Sequence, residues 1–289
     1  MGEKVFVQGF GLMGSGIAQV FAQSGFEVVA TDVDEAMLGK GLSTINQSLT
    51  KFIEKGLVKG SKEEILGRIR TTRKIEESAE AVLVIEAVYE DMELKKKIFQ
   101  KLDAICPAST ILASNTSGLL ITEIASVTKR PERVVGTHFF SPPQIMRLVE
   151  IIRGFLTSSE TVNQTKKWIE LIGKEPIVVE KEVPGFVVNR INGMVYLEAL
   201  RLLDQGVATA ADIDKGLKLG AGYAMGPFEV MDLVGLDTLL KSRMGIYEQT
   251  KDIRFYPPDI LRKMVAAGFL GRKTNKGFYE YTPDGKKKS

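Results

Sequence analysis

Three glycines near the start of the chain restrict its possible folds more than any other feature. The segment KVFVQGFGLMGSGIAQ places Gly9, Gly11 and Gly14 between a strand-like apolar run and a helical pattern. Gly9 permits a tight turn, Gly11 lets the backbone approach a pyrophosphate, and Gly14 allows close packing of the helix on the strand. Free N–H groups at the start of the helix favour phosphate oxygens. The pattern therefore predicts a dinucleotide-binding strand–turn–helix.

An acidic residue stands where the next strand is predicted to end. Asp32, in VVATDVDE, can accept hydrogen bonds from the hydroxyl groups of an adenosine ribose. It would repel a 2′-phosphate, Asp34 would add to the repulsion, and no arginine follows closely in the sequence. We therefore predict NAD(H), rather than NADP(H), as the cofactor. The competing interpretation is a strand–turn–helix that binds no ligand.

Short apolar runs alternate with helical patterns through the first part of the chain. The predicted strands span residues 4–8, 26–32, 68–72, 81–87, 110–114, 133–140, 147–152 and 175–180. Helical patterns lie between most of them, as at residues 14–24, 92–105 and 160–171. This alternation predicts an α/β fold of the Rossmann type, with a mainly parallel sheet and helices on both faces.

Two further segments divide the chain. Residues 35–68 are too long for one crossover helix, and they predict an inserted helical hairpin whose helices are joined at KGLVKGS. Beyond residue 183 the apolar residues recur at helical spacing. We therefore predict a nucleotide-binding domain at 1–182 and an all-helical domain at 183–289, with Pro184 and Gly185 as a hinge.

Composition argues against several classes of partner. The net charge is +3, from 39 basic and 36 acidic residues, so a nucleic acid is not expected. Cys106 is the only cysteine, which excludes an intramolecular disulfide and favours a buried structural thiol. The sequence shows no signal peptide and no apolar stretch of membrane-spanning length. We expect a cytoplasmic protein without a membrane partner or a bound metal.

The single histidine of the chain lies in THFFSPPQIMRLVEII, at the end of a predicted strand. Oxidation of an alcohol needs a base for the hydroxyl proton, and imidazole titrates near neutrality. Glu150 lies in the next strand, and a turn at SPPQ could bring it to His138, where a carboxylate would fix the tautomer of the ring. In the competing interpretation His138 is an ordinary packed side chain, and Glu150 pairs with Arg147 or Arg153.

Four small polar residues follow the fifth predicted strand. Ser114, Asn115, Thr116 and Ser117 lie at the edge of the sheet where open α/β folds bind their ligands. They could hold a substrate oxygen. Residues of this kind also form ordinary turns and helix caps.

Taken together, these residues resemble the L-3-hydroxyacyl-CoA dehydrogenase family over essentially the whole chain. The similarity is carried by the glycine loop and by the segments VIEAVYED, ASNTSG, HFFSP, LVE, PGFVVNR, LGAGYAMGPFE and GRKTNKGFYEY. It implies a dinucleotide-binding domain followed by a helical dimerisation domain. It also implies NAD-dependent interconversion of (S)-3-hydroxyacyl-CoA and 3-oxoacyl-CoA, with a short acyl chain such as 3-hydroxybutyryl.

The resemblance assigns roles to individual residues of this sequence. It implies that His138 is the general base, that Glu150 orients it, and that Ser117 and Asn189 bind the substrate oxygens. The cofactor-binding positions that it implies are Gly9, Gly11, Gly14, Asp32, Glu90, Lys95, Asn115, Ser141 and Lys273. It further implies contacts of coenzyme A with Ser48 and Lys55, and a homodimer that forms through the C-terminal domain.

Three positions depart from the family pattern. Gly118 stands where a second serine is usual, Ser141 where asparagine is usual, and Gln144 where a smaller apolar residue is usual. We expect these changes to affect the rate, the fit of the nicotinamide and the preferred acyl chain length. Two other functions stay open: a dehydrogenase of a free hydroxy acid or sugar acid, and a non-catalytic nucleotide-binding protein of the same fold.

Overall fold

Eight short strands, most of them rich in buried valine and isoleucine, form one sheet. They are β1 (Lys4–Gln8), β2 (Glu27–Thr31), β3 (Ile69–Thr72), β4 (Leu83–Glu86), β5 (Ile111–Ser114), β6 (Val134–Phe139), β7 (Leu148–Ile152) and β8 (Glu175–Val179). Their order across the sheet is β3-β2-β1-β4-β5-β6-β7-β8. The β6–β7 pair is antiparallel and the other pairs are parallel. The predicted, mainly parallel α/β fold is confirmed.

Helices cover both faces of this sheet. They are α1 (Leu12–Gln23), α2 (Glu35–Glu54), α3 (Lys62–Gly67), α4 (Met92–Ile105), α5 (Ile121–Ala125) and α6 (Ser159–Leu171). On one face, α1, α2 and α6 contribute Ile17, Leu49 and Ile169 to the core. On the other face, α4 and α5 contribute Phe99 and Ile124. Burial of these apolar faces against the strands supplies the main driving force for the arrangement.

The sheet order fixes where a ligand binds. The chain starts in the middle of the sheet at β1, runs outward through β2 to β3, and then returns to the other side of β1 with β4. Loops on either side of this reversal diverge and leave a crevice at the carboxyl ends of the strands. Gln8, Glu86 and Ser114 are register partners in the three central strands, so the loops that follow them begin side by side.

The predicted helical hairpin is present between β2 and β3. α2 begins at the cap Asp34, whose carboxylate accepts a hydrogen bond from the Ala36 N–H. α3 begins at the cap Ser61. The computed structural model describes residues 2–58 and 60–288, so Lys59 in the predicted connection lies outside the described residues.

Contacts divide the chain into two compact units, Met1–Phe186 and Val187–Ser289. The second unit is helical, as the spacing of its apolar residues predicts. It contains α7 (Val188–Asp204), α8 (Ala210–Ala221), α9 (Pro227–Val234), α10 (Leu236–Thr250) and α11 (Asp259–Ala266). Its core is built mainly from α7, α9, α10 and α11, and includes Leu197, Leu200, Phe228, Leu239 and Leu261.

Two buried carboxylates fasten the segment that follows α11. Asp232 on α9 accepts hydrogen bonds from the N–H groups of Phe278 and Tyr279 and from the hydroxyl of Tyr281. Asp214 on α8 accepts a hydrogen bond from the hydroxyl of Tyr279 at 2.7 Å. Because a buried carboxylate is costly unless it is hydrogen-bonded, these contacts make the position of the segment specific.

The structure bears on two predictions from composition, which concern Cys106 and membrane-spanning helices. Cys106 follows α4 and is a buried free thiol, as expected, and burial raises the pKa of this thiol. In the described parts of the chain, 2–58 and 60–288, no helix is long and apolar enough to cross a bilayer.

Candidate active site

The glycine loop between β1 and α1 has room for a ligand at one of its three glycines. A Cβ on Gly14 would lie 1.8 Å from the Gly9 carbonyl oxygen, and a Cβ on Gly9 would lie 2.8 Å from the Ala87 carbonyl oxygen. Gly9 also has a φ of +94°. A Cβ on Gly11 would instead meet an ordinary contact, Met37 Cε at 3.8 Å. Gly9 and Gly14 are therefore required for packing, whereas a Cβ on Gly11 would make no close contact.

The start of α1 and the end of β2 complete a site that fits a dinucleotide. α1 begins at Gly11, which has no side chain to cap the helix, so the first N–H groups stay available for phosphate oxygens. Asp32 follows β2, and its Oδ2 accepts a hydrogen bond from the Phe10 N–H at 2.8 Å. This bond holds the carboxylate beside the loop, with lone pairs left for ribose hydroxyls.

Arg73 reaches the same region from a distant part of the sequence. It follows β3, which pairs with β2, and its guanidinium donates a hydrogen bond to the Val33 carbonyl at 3.2 Å. Sequence reasoning found no arginine close behind Asp32, because the proximity depends on the order of the strands. The guanidinium therefore lies at the backbone of Val33, the residue between Asp32 and Asp34.

His138 and Glu150 form a buried pair. They are opposite residues of the antiparallel strands β6 and β7, so their side chains share one face of the sheet. His138 Nδ1 lies 2.6 Å from Glu150 Oε2, with the histidine 6% exposed and the glutamate 0% exposed. A carboxylate at Nδ1 favours the tautomer that carries its proton there, which leaves the Nε2 lone pair to accept a proton.

Arg147 and Arg153, the competing partners for Glu150, pair with other acids. Arg147 forms an ion pair with Glu175, and Arg153 with Glu180. The two arginines lie just before and just after β7. Their partners are the first residue of β8 and the residue after that strand, and both glutamates are exposed. Glu150 is therefore the acid of this strand that lies against the histidine.

Two aromatic rings flank the imidazole. The ring centroids of Phe140 and Phe186 lie 4.5 Å and 5.6 Å from that of His138. They limit the access of water to the ring, and in such surroundings a hydrogen bond to a carboxylate is stronger than in water.

Glu90 holds the loop that carries Ser117. Glu90 Oε1 accepts hydrogen bonds from Thr116 Oγ1 at 2.6 Å, from the Ser117 N–H at 2.8 Å and from Ser117 Oγ at 3.1 Å. The Thr116 hydroxyl oxygen accepts in turn from the Leu119 N–H at 2.9 Å. A Cβ on Gly118 would lie 3.7 Å from the Gly185 nitrogen, which is an ordinary contact.

Asn115 connects this loop to the strand of the histidine. Its Oδ1 accepts a hydrogen bond from the Phe139 N–H at 2.9 Å, beyond the last register pair of β5 and β6, Ser114 with Gly136. The side chain thus extends the hydrogen bonding between the two strands towards His138.

Lys95 lies beneath the loop. Its ammonium group is 2.7 Å from Glu86 Oε1 and 3.5 Å from Glu90 Oε2. Glu86 also accepts hydrogen bonds from the Val88 N–H and from Ser114 Oγ, each at 2.7 Å. Sequence reasoning missed Glu86, although the signal was the one that drew attention to Glu150: an acid within an apolar strand.

The other site residues of the first unit differ in exposure, and the hydroxyl oxygen of Ser48 is buried. Ser141 is exposed after β6, and its peptide bond to Pro142 is cis. A Cβ on Gly16 would lie 2.7 Å from Gln144 Oε1, so the loop that contains Ser141 and Gln144 packs against α1. Ser48 is half-buried on α2, and Lys55 is exposed at the end of the same helix.

Two site residues from the sequence belong to the second unit. Asn189 lies in the first turn of α7, where its backbone carbonyl accepts a hydrogen bond from Arg243. Lys273 lies in the segment after α11 and forms an ion pair with Asp237 of α10.

An open α/β sheet with a glycine loop and an acid after β2, and a histidine–carboxylate pair at the same edge, define a nicotinamide-dependent dehydrogenase. The model of the 3-hydroxyacyl-CoA dehydrogenase NAD binding domain matches residues 4–183, and that of the C-terminal domain of the same family matches 185–281. The chain belongs to the 3-hydroxyacyl-CoA dehydrogenase family and is an NAD-dependent enzyme.

Several relatives are similar over nearly their whole length. The chain is 44% identical to a 3-hydroxybutyryl-CoA dehydrogenase of Clostridioides difficile, over 96% of this chain and 99% of the relative. It is 42% identical to a protein of that name from Bradyrhizobium diazoefficiens, over 96% and 95% of the two chains. The crystal structure of (S)-3-hydroxybutyryl-CoA dehydrogenase from Ralstonia eutropha is similar with a TM-score of 0.94 and 41% identity, covering 98% of this chain and 100% of that one.

Proposed function

We propose that the protein interconverts (S)-3-hydroxyacyl-CoA and 3-oxoacyl-CoA with NAD(H), and that its acyl chain is short, as in 3-hydroxybutyryl-CoA and acetoacetyl-CoA. The observation that carries the proposal is the buried pair of His138 and Glu150, 2.6 Å apart at the edge of the sheet that also holds the glycine loop. The names of the two bacterial relatives at 44% and 42% identity support the short acyl chain.

His138 moves the proton of the reaction. When bound, NAD would supply the hydride acceptor for the oxidation. In oxidation, Nε2 of the neutral imidazole removes the hydroxyl proton of the substrate. Nδ1 keeps its own proton on the hydrogen bond to Glu150, whose negative charge stabilises the imidazolium. In the reverse direction the imidazolium returns the proton to the oxygen.

The remaining residues bind and orient the two ligands. Ser117 and Asn189 position the substrate oxygens, and Ser48 and Lys55 bind coenzyme A, where the ammonium of Lys55 attracts phosphate. Because Asp32 and Asp34 disfavour a 2′-phosphate, NAD(H) is preferred over NADP(H). The cofactor-binding residues are Gly9, Gly11, Gly14, Asp32, Glu90, Lys95, Asn115, Ser141 and Lys273.

The second unit forms the contact of a homodimer. Side chains of α7 and α8 line an apolar groove with a volume of about 560 Å³. They include Met194, Val195, Leu202, Ile213 and Leu217. An apolar surface of this kind is a common feature of protein interfaces. The family resemblance supports a second copy of the chain as its occupant.

Rates with acetoacetyl-CoA and with free acetoacetate test the proposed substrate class. NADH oxidation should be fast with acetoacetyl-CoA, slow with acetoacetate, and slower as the acyl chain is lengthened. Lys55→Ala should raise the KM for acetoacetyl-CoA roughly fivefold with little change in kcat, because it removes one contact with the coenzyme. Lys40→Ala, an exposed lysine near the start of the same helix, is the control.

The alternatives give different results. Equal rates with acetoacetate, unaffected by Lys55→Ala, would identify a dehydrogenase of free acids. Tight binding of NADH without turnover of any acyl-CoA would identify a non-catalytic nucleotide-binding protein.

A further inference from the structure

The ion pair of Glu86 and Lys95 is almost completely removed from solvent. Their side chains are 0% and 1% exposed, and the ammonium lies 2.7 Å from the carboxylate. Taking both charges out of water costs free energy that their attraction often fails to recover, so such a pair is a weak source of stability. Its connection to the Ser117 loop through Glu90 points to a different contribution.

The pair is connected to Ser117 through one carboxylate. Glu90 Oε2 lies 3.5 Å from the Lys95 ammonium, whereas Glu90 Oε1 accepts the hydrogen bonds of the Ser117 N–H and hydroxyl. The side chain of Glu90 is 40% exposed. Its two oxygens are thus held from opposite sides, by the lysine and by the loop.

Glu86 decides how strongly Lys95 attracts Glu90. In the structure the lysine has a nearer carboxylate in Glu86, which is fixed in place by the Val88 N–H and the Ser114 hydroxyl. If that charge were removed, Glu90 would be the remaining acid paired with Lys95 in the described structure. The carboxylate of Glu90 would then be drawn towards the ammonium and away from Ser117.

We propose that Glu86 is a positioning residue for the reaction: it holds Lys95 so that Glu90 keeps the Ser117 hydroxyl in place for the substrate oxygen. The proposal rests on the function of Ser117 proposed above. Glu86 touches neither substrate nor cofactor and acts through Lys95 and Glu90.

A double-mutant cycle of Glu86→Gln with Ser117→Ala tests this. Glu86→Gln preserves the size of the side chain and should lower kcat with acetoacetyl-CoA roughly tenfold, because small displacements of a positioning group are costly. In the Ser117→Ala background the same change should alter kcat less than about twofold, because the group that it positions is gone. Active sites are counted by titration with NADH, so that loss of folded protein does not enter kcat.

Asp103→Asn is the matched control, because Asp103 and Arg130 form a second largely buried ion pair that also involves α4. It should lower the melting temperature without changing kcat per active site. If Glu86→Gln does not fold, Ser114→Ala takes its place in the cycle, since it removes one hydrogen bond to Glu86 and leaves the charge. Its loss of kcat should be smaller and should also vanish with Ser117→Ala.

An equal loss of kcat in both backgrounds would overturn the proposal and leave the pair with a structural role. An unchanged kcat in Glu86→Gln or, where that variant does not fold, in Ser114→Ala would also overturn it. Wild-type protein that binds NADH but does not turn over acetoacetyl-CoA would instead refute the proposed function.

Discussion

The register of β6 and β7 places His138 opposite Glu150, so their hydrogen bond of 2.6 Å forms within the sheet itself. Neighbouring backbone bonds fix both side chains before any ligand arrives. A base that is oriented in this way loses little entropy when the substrate binds. The charge of Glu150 is therefore already in place when the imidazolium forms.

Glu150→Gln should lower kcat roughly 100-fold, because an amide cannot stabilise the imidazolium as a carboxylate does. Affinity for NADH, measured by fluorescence titration, should stay close to that of the wild type. Glu175→Gln removes an exposed acid that pairs with Arg147, the residue before β7, and should leave kcat unchanged. A kcat for Glu150→Gln within twofold of the wild type would show that the pairing has no part in the reaction.

The glycine loop allows a paired test of the cofactor site. Gly11→Ala should leave the melting temperature unchanged, since its Cβ would have no contact closer than 3.8 Å in the described structure, but should weaken NADH binding roughly tenfold by excluding the pyrophosphate. Gly14→Ala should lower both, because its Cβ would lie 1.8 Å from a carbonyl oxygen. Calorimetric titration and thermal unfolding measure the two effects. Unchanged NADH affinity in Gly11→Ala would place the dinucleotide elsewhere.

Among residues, the sequence predicts contacts well where the partners lie in consecutive elements. Glu150 could be paired with His138 because a short turn joins their strands. Arg73 near Val33 and Glu90 near Ser117 could not be found, because these contacts depend on which strands become neighbours in the sheet. Parallel strands bring together loops that are far apart in sequence, and residue patterns alone do not give that order.

At the scale of the elements, most strands were predictable because each is a short apolar run bounded by polar or turn residues, whereas β3 (Ile69–Thr72) contains one isoleucine followed by polar residues. The β6–β7 pair is antiparallel because the connection between the two strands is too short for the crossover that a parallel pair needs.

In the second unit, Glu229 of α9 shows how single charges hold elements together. It forms ion pairs with Lys218 of α8 at 3.0 Å and with Lys287 of the C-terminal segment at 3.1 Å.

These contacts make the stability of the second unit depend on pH. Burial alone would raise the pKa of Glu229, but hydrogen bonds from Lys218, the Gly226 N–H and Lys287 outweigh it and lower the pKa from 4.5 to about 2. A lowered pKa in the folded state stabilises the protein above pH 4.5, and the contribution is lost as the pH falls from there to about 2.

The melting temperature of Glu229→Gln should therefore lie below that of the wild type at pH 6, and the difference should shrink as the pH is lowered to 3. Differential scanning calorimetry at several pH values measures it. Glu248→Gln, at an exposed ion pair with Lys251, is the control and should show little difference at any pH. A difference for Glu229→Gln that is constant with pH would contradict the role of its charge.

At the scale of the whole molecule, the proposed homodimer gives a test that does not depend on activity. Light scattering after gel filtration should give twice the 31.8 kDa of one chain. Val195→Asp places a charge in the apolar surface of α7 and α8 and should give the monomer mass. Ile253→Asp, at an apolar residue 70% exposed and outside that surface, should stay dimeric. Wild-type protein with the mass of one chain would contradict the proposed dimer.

The central claim is that His138 carries the proton of the reaction, and one comparison tests it most directly. NADH oxidation by acetoacetyl-CoA is followed by absorbance for the wild type and for His138→Gln. The two proteins are compared at equal concentrations of active sites, which are counted by titration with NADH. We expect rapid oxidation by the wild type and a loss of roughly 1,000-fold or more in the variant, with NADH affinity retained. A variant that folds, binds NADH and turns over at a rate near that of the wild type would contradict the claim.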